Sequence, residues 1–466
     1  MLEGLDSVPW EELEQSDDIL TAYDPVTDVP IFLRQLLSQD TKERSQALDR
    51  LYENALHQGS RFPITPYIIP FIIELCANPS VPDRVSLLCF WSHAITGYFS
   101  VRERPCWGDG ETIYWYGKVD EWATEKGSQQ ELHQIYRESL KGKELLANLL
   151  KDDDFNIRGG AAWVLACMPT IAEFSVPKLE AQLNRELSGW VRAGIVFALG
   201  ELGATIPLQQ ILEREFSAAK CMAVCQLTRI APDDSLIEPL LEFVSKPIKG
   251  YENVFGAGGK STDDAAFAIS YLPRQIQQRA IPAICQRLKE ARLFDTIPLV
   301  ETLLCATFER RNEPLTELTV LQKLVLSQML TTDELWTIGN LIGTFRLYGL
   351  PDGLSNKKEE CAKLVGIEIT QDDALAELRI ALTFAEMGFL EKAREGILKA
   401  LDLDSTVLER VPAPEECWLL YAKAFAETEP ERAIAALRRA ILIDPGVINK
   451  LSPTWHLSDL LKKYDF

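Results

Sequence analysis

The feature that most constrains this chain is a repeated helical pattern. The segment IRGGAAWVLACMP, residues 157–169, recurs as VRAGIVFALGELG, residues 191–203, so that Arg158 and Arg192 occupy the same place in two successive copies. In each copy the Arg is followed by small residues, which let helices approach closely, and then by an apolar run that fills the layer between them. Hairpins of this kind must stack to bury their apolar faces. The repeat therefore predicts an all-α fold, an α-solenoid of helical hairpins.

Weaker copies extend the pattern in both directions. Upstream, Arg44 in TKERSQALDRLYENAL and Arg84 in VPDRVSLLCFWSHAI stand at similar places in their predicted helices. Downstream, AAKCMAVCQLTRIAP from Ala218 and TDDAAFAISYLP from Thr262 each form an Ala-rich helix that ends in Pro. Pro also begins several of the other helices, where its missing N–H costs nothing. These copies predict a hairpin stack over residues 31–349.

The hairpins resemble the HEAT-repeat superfamily, in particular the bacterial group named after phycobilisome-lyase HEAT-like repeats. The resemblance rests on the Arg-containing segments above and on LYENALHQG…PYIIPFIIELC, and it covers roughly residues 31–310. It implies a helical scaffold. Because the family includes scaffolds, adaptors, lyase subunits and DNA-repair enzymes, the resemblance does not imply one function.

The C-terminal part carries a different repeat. In WLLYAKAFAETEPERAIAALRRAILIDP, residues 418–445, Ala433, Leu437 and Ala440 precede a closing Pro, a pattern that resembles the tetratricopeptide repeat. A second copy lies one repeat earlier, where Ala393 takes the place of Ala433. The predicted regions are an acidic N-terminal segment (1–30), the HEAT-like solenoid (31–349), a joint (350–370), the tetratricopeptide-like repeats (371–446) and a C-terminal tail or cap (447–466).

Composition and charge narrow the classes of function. The formal net charge is −21, from 69 acidic and 48 basic residues. Such a charge disfavours binding to nucleic acid and to anionic lipid, and it speeds the encounter with a basic partner. The N-terminal residues carry no apolar signal-peptide core, and no apolar stretch is long enough to span a membrane. The predicted location is the cytoplasm, with neither a membrane nor a nucleic acid as partner.

No residue pattern indicates catalysis, a cofactor or a metal. FGAGGKST, residues 255–262, lacks the first Gly of a phosphate-binding loop and is typical of a loop before a helix capped by Ser261 or Thr262. Cys89 and His93 share one turn of a predicted helix, but two ligands do not make a metal site. Carboxylate pairs fall at predicted helix starts, where capping explains them. The chain is therefore predicted to be no enzyme.

An aromatic insertion of about thirty residues, residues 98–127, interrupts the repeats. Its large rings, separated by Gly and Asp, are Trp107, Tyr114, Trp115, Tyr116 and Trp122. Rings on a loop supply a large contact area at little rotamer cost, so we interpret them as the residues that bind a partner. The alternative is that these rings fold back and cover a gap in the stack.

Three Arg side chains stand at the repeated position, namely Arg84, Arg158 and Arg192. The HEAT resemblance implies that such an Arg pairs with an Asp of the neighbouring repeat, forming a ladder that keeps the layers in register. The alternative is that these residues line a concave groove and meet an acidic segment of a partner.

The leading hypothesis is a non-enzymatic scaffold or adaptor that holds a protein or peptide partner on its concave surface. A sharper version is an inhibitor or immunity protein for a basic partner, because the chain is acidic. The resemblance alone suggests a second class, a bilin lyase-type subunit that handles a chromophore. A third class, a HEAT-fold DNA glycosylase, needs a basic groove, which the charge of −21 opposes.

Overall fold

In a computed structural model, the described residues form 21 α-helices and no β-strand, so the predicted all-α solenoid fold is confirmed. They fall into two compact units, Met1–Arg287 and Leu288–Phe466. The described ranges are 2–13, 28–56, 61–96, 128–214, 216–257, 259–292, 295–311, 313–353, 357–366, 390–411, 414–426 and 428–450, with single positions between 374 and 385.

The first unit is a stack of helical hairpins. The first helices of the hairpins are α1 (Val29–Gln35), α3 (Thr65–Ala77), α6 (Lys143–Leu149), α8 (Ala172–Leu183), α10 (Thr205–Leu212) and α12 (Ile237–Ser245). The second helices, here the second-helix row, are α2 (Thr41–Ala55), α4 (Arg84–Thr96), α7 (Phe155–Ala166), α9 (Gly189–Glu201), α11 (Ala218–Ile230) and α13 (Ser261–Ile269). Outside the pairs lie α5 (Ser128–Leu140) and α14 (Arg274–Leu288). Along the row, α4 packs on α7, α7 on α9, α9 on α11, and α11 on α13.

Small residues set the spacing of the row, as the repeat pattern predicted. A Cβ on Gly160 of α7 would lie 2.9 Å from Leu88 Cδ1 of α4. A Cβ on Gly200 of α9 would lie 2.5 Å from Gln226 Cγ of α11. Both distances are shorter than van der Waals contact, so a larger residue at either glycine would push the neighbouring helix away.

The described start of the chain packs on the first hairpins. Leu5 and Trp10 are buried, and the Trp10 Nε1–H donates to the Leu5 carbonyl over 2.7 Å. The Leu2 N–H donates to Glu74 Oε1 of α3 over 2.7 Å. Part of the predicted acidic segment is therefore held on α3 by apolar burial as well as by hydrogen bonding.

The second unit contains α15 (Thr296–Thr307), α16 (Val320–Leu330), α17 (Leu341–Leu347), α18 (Lys357–Val365), α19 (Leu390–Leu403), α20 (Pro414–Phe425) and α21 (Pro430–Ile443). Helix α20 packs on α19 and on α21. Ala393, Ala433, Leu437 and Ala440, which carry the tetratricopeptide resemblance, are fully buried there. The tetratricopeptide assignment and the predicted region boundaries stay predictions.

Candidate functional site

Among the described residues, one segment of the chain covers one side of the second-helix row at α9. From Val191 to Gly200, every residue of α9 except Arg192 is buried. The covering segment lies between α12 and α13 and consists of residues 246–257, 259 and 260, here the covering loop. Its Phe255 carbonyl oxygen lies 3.6 Å from the place that a Cβ on Gly194 would occupy. By contrast, α4 and α7 keep half-buried side chains on this side of the row.

The covering loop is fixed at several points. Tyr251 is fully buried and donates its hydroxyl hydrogen to Asp264 Oδ2 over 3.0 Å. The Ile248 N–H donates to Ser261 Oγ over 2.8 Å. The predicted capping of α13 by Ser261 or Thr262 is wrong, because the N-cap is Lys260. The Lys260 N–H donates to Asp263 Oδ2, which leaves the Ser261 hydroxyl to hold the loop.

Phe255 of the covering loop sits over a glycine of α7. A Cβ on Gly159 would lie 2.5 Å from Phe255 Cδ2, so only glycine leaves room for the ring as it is placed. The same ring lies beside Trp163, with the ring centroids 5.9 Å apart. Small residues of the repeat let helices pack closely, but the small residue Gly159 makes room for the Phe255 ring instead.

Trp163 and Phe255 belong to a continuous row of four rings, here the aromatic strip. Its other members are Tyr52 of α2 and His93 of α4. The centroids of Tyr52 and His93 are 5.8 Å apart, and those of His93 and Trp163 are 5.3 Å apart. All four side chains are half-buried. Three neighbouring helices and one loop thus bring four half-buried rings into one connected row.

His93 is uncharged at neutral pH. Burial lowers its pKa from 6.5 to about 4, and its Nδ1 lies 3.0 Å from the Tyr52 hydroxyl oxygen. Burial removes water from around the imidazole, and this desolvation disfavours its protonated, charged form. The aromatic strip therefore carries no formal charge near pH 7.

Replacing His93 by Asn is expected to reduce the acid sensitivity of the fold. The folded pKa of about 4 lies below the unfolded value of 6.5, so the unfolded state binds the proton first as the pH falls. The wild type should lose about 2 kcal/mol more stability than H93N between about pH 7 and pH 4.5. Urea unfolding at both pH values measures this difference, and equal losses in the two proteins would contradict it.

Two glycines of the repeat should respond differently to Ala. Gly159→Ala places its methyl group against the Phe255 ring and should lower the free energy of unfolding by about 1–2 kcal/mol. Gly194→Ala meets the covering loop only at ordinary contact distances of 3.6–3.9 Å and gains helix propensity, so it should be neutral or slightly stabilising. Urea unfolding of both variants checks the contrast, which an equal effect of the two would refute.

The repeat Arg residues point to the starts of neighbouring helices. Arg84 Nη2 lies 3.0 Å from Asp152 Oδ2, just before α7. Arg158 contacts Glu186, just before α9, through Nε at 2.7 Å and Nη2 at 2.8 Å. Arg192 instead donates to the carbonyl oxygens of Leu183 and Glu186. The role of these side chains as a ladder that keeps the hairpins in register stays a prediction.

The predicted partner-binding rings lie outside the described residues. These are Trp107, Tyr114, Trp115, Tyr116 and Trp122. Sequence reasoning missed the aromatic strip, because it considers His93 only together with Cys89 as a possible metal ligand. The sequence contained one sign of this surface: Trp163 and Phe197 are aromatic residues at the same place in the two clearest copies of the repeat. The covering loop meets both, with Phe255 at Trp163 and Gly256 at Phe197.

Other chemistry is sparse in the described part of the chain. No group of three or more His, Cys, Asp or Glu residues there could hold a metal ion. The nine described cysteines are free thiols. No single described helix is long and apolar enough to cross a membrane, although Phe155–Ala166 and Pro169–Leu183, bent by 99°, pass that test as a pair by length and composition.

No family model and no curated protein matches this sequence. Among solved structures, the complex of CpcE and CpcF of phycocyanin lyase from Nostoc sp. PCC7120 matches with a TM-score of 0.31 and 16% identity. That match covers 62% of this chain and 98% of the other. An engineered protein matches with a TM-score of 0.27 and 13% identity, over 88% of this chain and 99% of its own. At these TM-scores neither likeness carries a function to this chain.

Proposed function

We propose that this protein is a non-enzymatic interaction scaffold that holds a partner protein on the second-helix row of its first unit. The observation that carries the proposal is the aromatic strip, formed by Tyr52, His93, Trp163 and Phe255 with centroid spacings of 5.3–5.9 Å. Half-buried rings held by packed helices give binding area without much loss of rotamer freedom. The scaffold acts in the cytoplasm as an adaptor or as an inhibitor of its partner.

A basic partner is one form of this proposal, supported by the net charge of −21. Charge of this kind mainly speeds association, and its contribution is screened by salt. Contact with the uncharged aromatic strip depends little on salt. Washing a captured partner at about 50 mM and then about 500 mM salt separates the two contributions.

The test compares two ring-to-Leu variants of the tagged protein in its native lysate. Trp163→Leu alters the aromatic strip, whereas Tyr67→Leu is the matched control on α3, where Tyr67 is 38% exposed. A protein identified by mass spectrometry should be recovered with wild type and Y67L and reduced at least tenfold with W163L, roughly the loss of one binding hot spot. Equal recovery with all three would overturn the proposal, as would enrichment of no protein. Circular dichroism verifies that both variants are folded.

A bilin-handling subunit is the second candidate, because a flat conjugated ligand could also stack on the aromatic strip. Mixing the protein with a bilin and recording the visible spectrum tests it. If wild type shifts the absorption band of the bilin and W163L does not, bilin handling would replace the scaffold as the proposed function. An unshifted spectrum with wild type would rule out the bilin candidate. For the DNA glycosylase, the corresponding test is binding to DNA at low salt, and the absence of binding would rule that candidate out.

A further inference from the structure

The turns inside two successive hairpins carry the same four-residue pattern, Arg-Glu-apolar-Ser. It is RELS at residues 185–188, between α8 and α9, and REFS at residues 214–217, between α10 and α11. In both copies the Ser side chain caps the second helix, because it accepts a hydrogen bond from the backbone N–H three residues further on. Glu186 of the first copy pairs with Arg158, whereas Glu215 of the second lies outside the described residues. Both Ser residues and Glu186 therefore stabilise the fold.

The other two positions of the pattern are exposed in both copies. Leu187 is 95% exposed, and Phe216 is 42% exposed, with its ring stacked on Phe243 at a centroid distance of 4.7 Å. Arg185 and Arg214 are exposed as well. A single exposed Leu is common on protein surfaces and needs no explanation. An exposed Arg and an exposed apolar side chain that recur together in neighbouring turns are instead what a binding edge requires, because core packing does not account for Leu187.

The two turns lie side by side on one edge of the first unit. Each turn precedes a helix of the second-helix row, and these helices, α9 and α11, pack on each other. The axes of packed helices are roughly 8–10 Å apart, so the two turns are about one such step from each other. Two apolar side chains at positions i and i+7 of a helix are separated by roughly 10.5 Å along its axis. The edge therefore matches a helical segment that presents one apolar side chain to each turn.

The cations of this edge determine the charge of such a segment. Four cations in and beside the two turns form no ion pair with a carboxylate of the described residues, and three of them donate to backbone carbonyl oxygens. These cations are Arg185, Arg192, Arg214 and Lys220. Burial and then the positive charge of Arg214 lower the pKa of Arg192, so an anion at this edge would relieve a repulsion. Although the net charge of the chain is −21, the four cations outnumber the acids of the described turn residues, Glu186 and Glu213.

We propose that this edge is a second docking surface, which binds an acidic amphipathic helical segment of a partner protein. The apolar side chains of that segment cover Leu187 and Phe216, and its carboxylates meet Arg185 and Arg214. The inference goes beyond the proposed scaffold site, because none of these residues belongs to the aromatic strip. Charge complementarity favours an acidic segment here, in contrast to the basic partner that the net charge of the whole chain attracts.

The test titrates the full-length protein into a fluorescein-labelled helical peptide of Glu and Ala that carries Leu at positions i and i+7. Anisotropy at about 50 mM salt should give saturable binding with a Kd of roughly 10–500 μM. Leu187→Ser should weaken this binding about tenfold, the effect of losing one buried Leu contact. The double variant R185Q/R214Q should weaken it about three- to tenfold, whereas R185K/R214K keeps both charges and should retain most of the binding.

Two control variants locate the peptide on the protein. Ile206→Ser replaces an apolar residue that is 68% exposed near the start of α10, whereas Phe216 follows the end of that helix. This variant should change the Kd less than about twofold, because Ile206 lies at the other end of the hairpin. Trp163→Leu alters the aromatic strip and should likewise change the Kd less than about twofold. Circular dichroism verifies that every variant is folded.

Four outcomes would overturn the inference. The first is no saturable binding of the peptide to wild type. The second is equal binding of a peptide with Ser in place of both Leu residues, because the contact would then be ionic only. The third is binding that depends on Trp163 instead of Leu187, which places the peptide on the aromatic strip. The fourth is a wild-type dimer in sedimentation that L187S dissociates, because the occupant of the edge is then a second copy of this chain.

Failure of this inference can be told apart from failure of the proposed function. If a lysate partner depends on Trp163 but the peptide does not bind, the scaffold function stands and only the second docking surface is wrong. If the peptide binds through Leu187 but no lysate partner depends on Trp163, the second docking surface stands without the aromatic strip.

Discussion

Replacing Arg158 by Leu is expected to lower the free energy of unfolding by about 3–5 kcal/mol, the usual effect of removing one partner of a buried ion pair. The Glu186 side chain is only 1% exposed, and Arg158 contacts both of its oxygens at 2.7 and 2.8 Å. Leucine leaves that carboxylate desolvated with fewer donors. Urea unfolding at pH 7 measures the loss, and a change below about 1 kcal/mol would contradict the argument.

The matched control is Arg279→Leu. Arg279 pairs with Glu238 over 2.5 Å, but the two side chains are 49% and 67% exposed. Water solvates both charges after the substitution, so the expected loss is below about 1 kcal/mol. Comparable losses in the two variants would show that burial of Glu186 is not the cause.

The charge on Glu186 can be tested separately. In the Arg158→Leu background, Glu186→Gln should recover part of the lost stability, because a neutral amide costs less to bury than a carboxylate. The hydrogen bonds from Arg158 lower the pKa of Glu186 to about 2 from 4.5. The stabilisation of the fold by ionised Glu186 is thus complete above about pH 4.5 and is lost as the pH falls toward 2. The R158L variant should show a weaker dependence of stability on pH in this range.

Gly256→Ala is expected to lower the free energy of unfolding by roughly 3 kcal/mol, from backbone strain and overpacking together. Gly256 has a φ of +82°, which disfavours any residue with a Cβ. An added Cβ would also overlap the ring of Phe197, which is 1% exposed in α9. The loop would have to lift from α9, and urea unfolding of the variant measures this cost.

The control for this prediction is Gly203→Ala. Gly203 has a similar φ of +76°, but a Cβ there meets nothing within 4 Å. Only backbone strain applies, so the expected loss is about 1 kcal/mol. If both alanine variants lose the same amount, the covering loop is not tightly packed on Phe197.

The sequence by itself determined the helical class of this protein and the stacking of its hairpins. Arg158 and Arg192, each followed by small residues and an apolar run, mark the same place in two successive hairpins. That period is local, because each hairpin contacts mainly its neighbours. Close packing at Gly160 follows from the same pattern, and the structure places Leu88 there.

Only the tertiary structure brings together the rings of the proposed binding surface. Tyr52, His93, Trp163 and Phe255 come from four separate segments, and no repeat period links them. They meet because α2, α4 and α7 are neighbours in the second-helix row and because the covering loop returns across α9 from beyond α12. The residues FGAGGKST are typical of any exposed loop. The position of Phe255 over Gly159 depends on contacts between residues far apart in the chain, which local pattern cannot reveal.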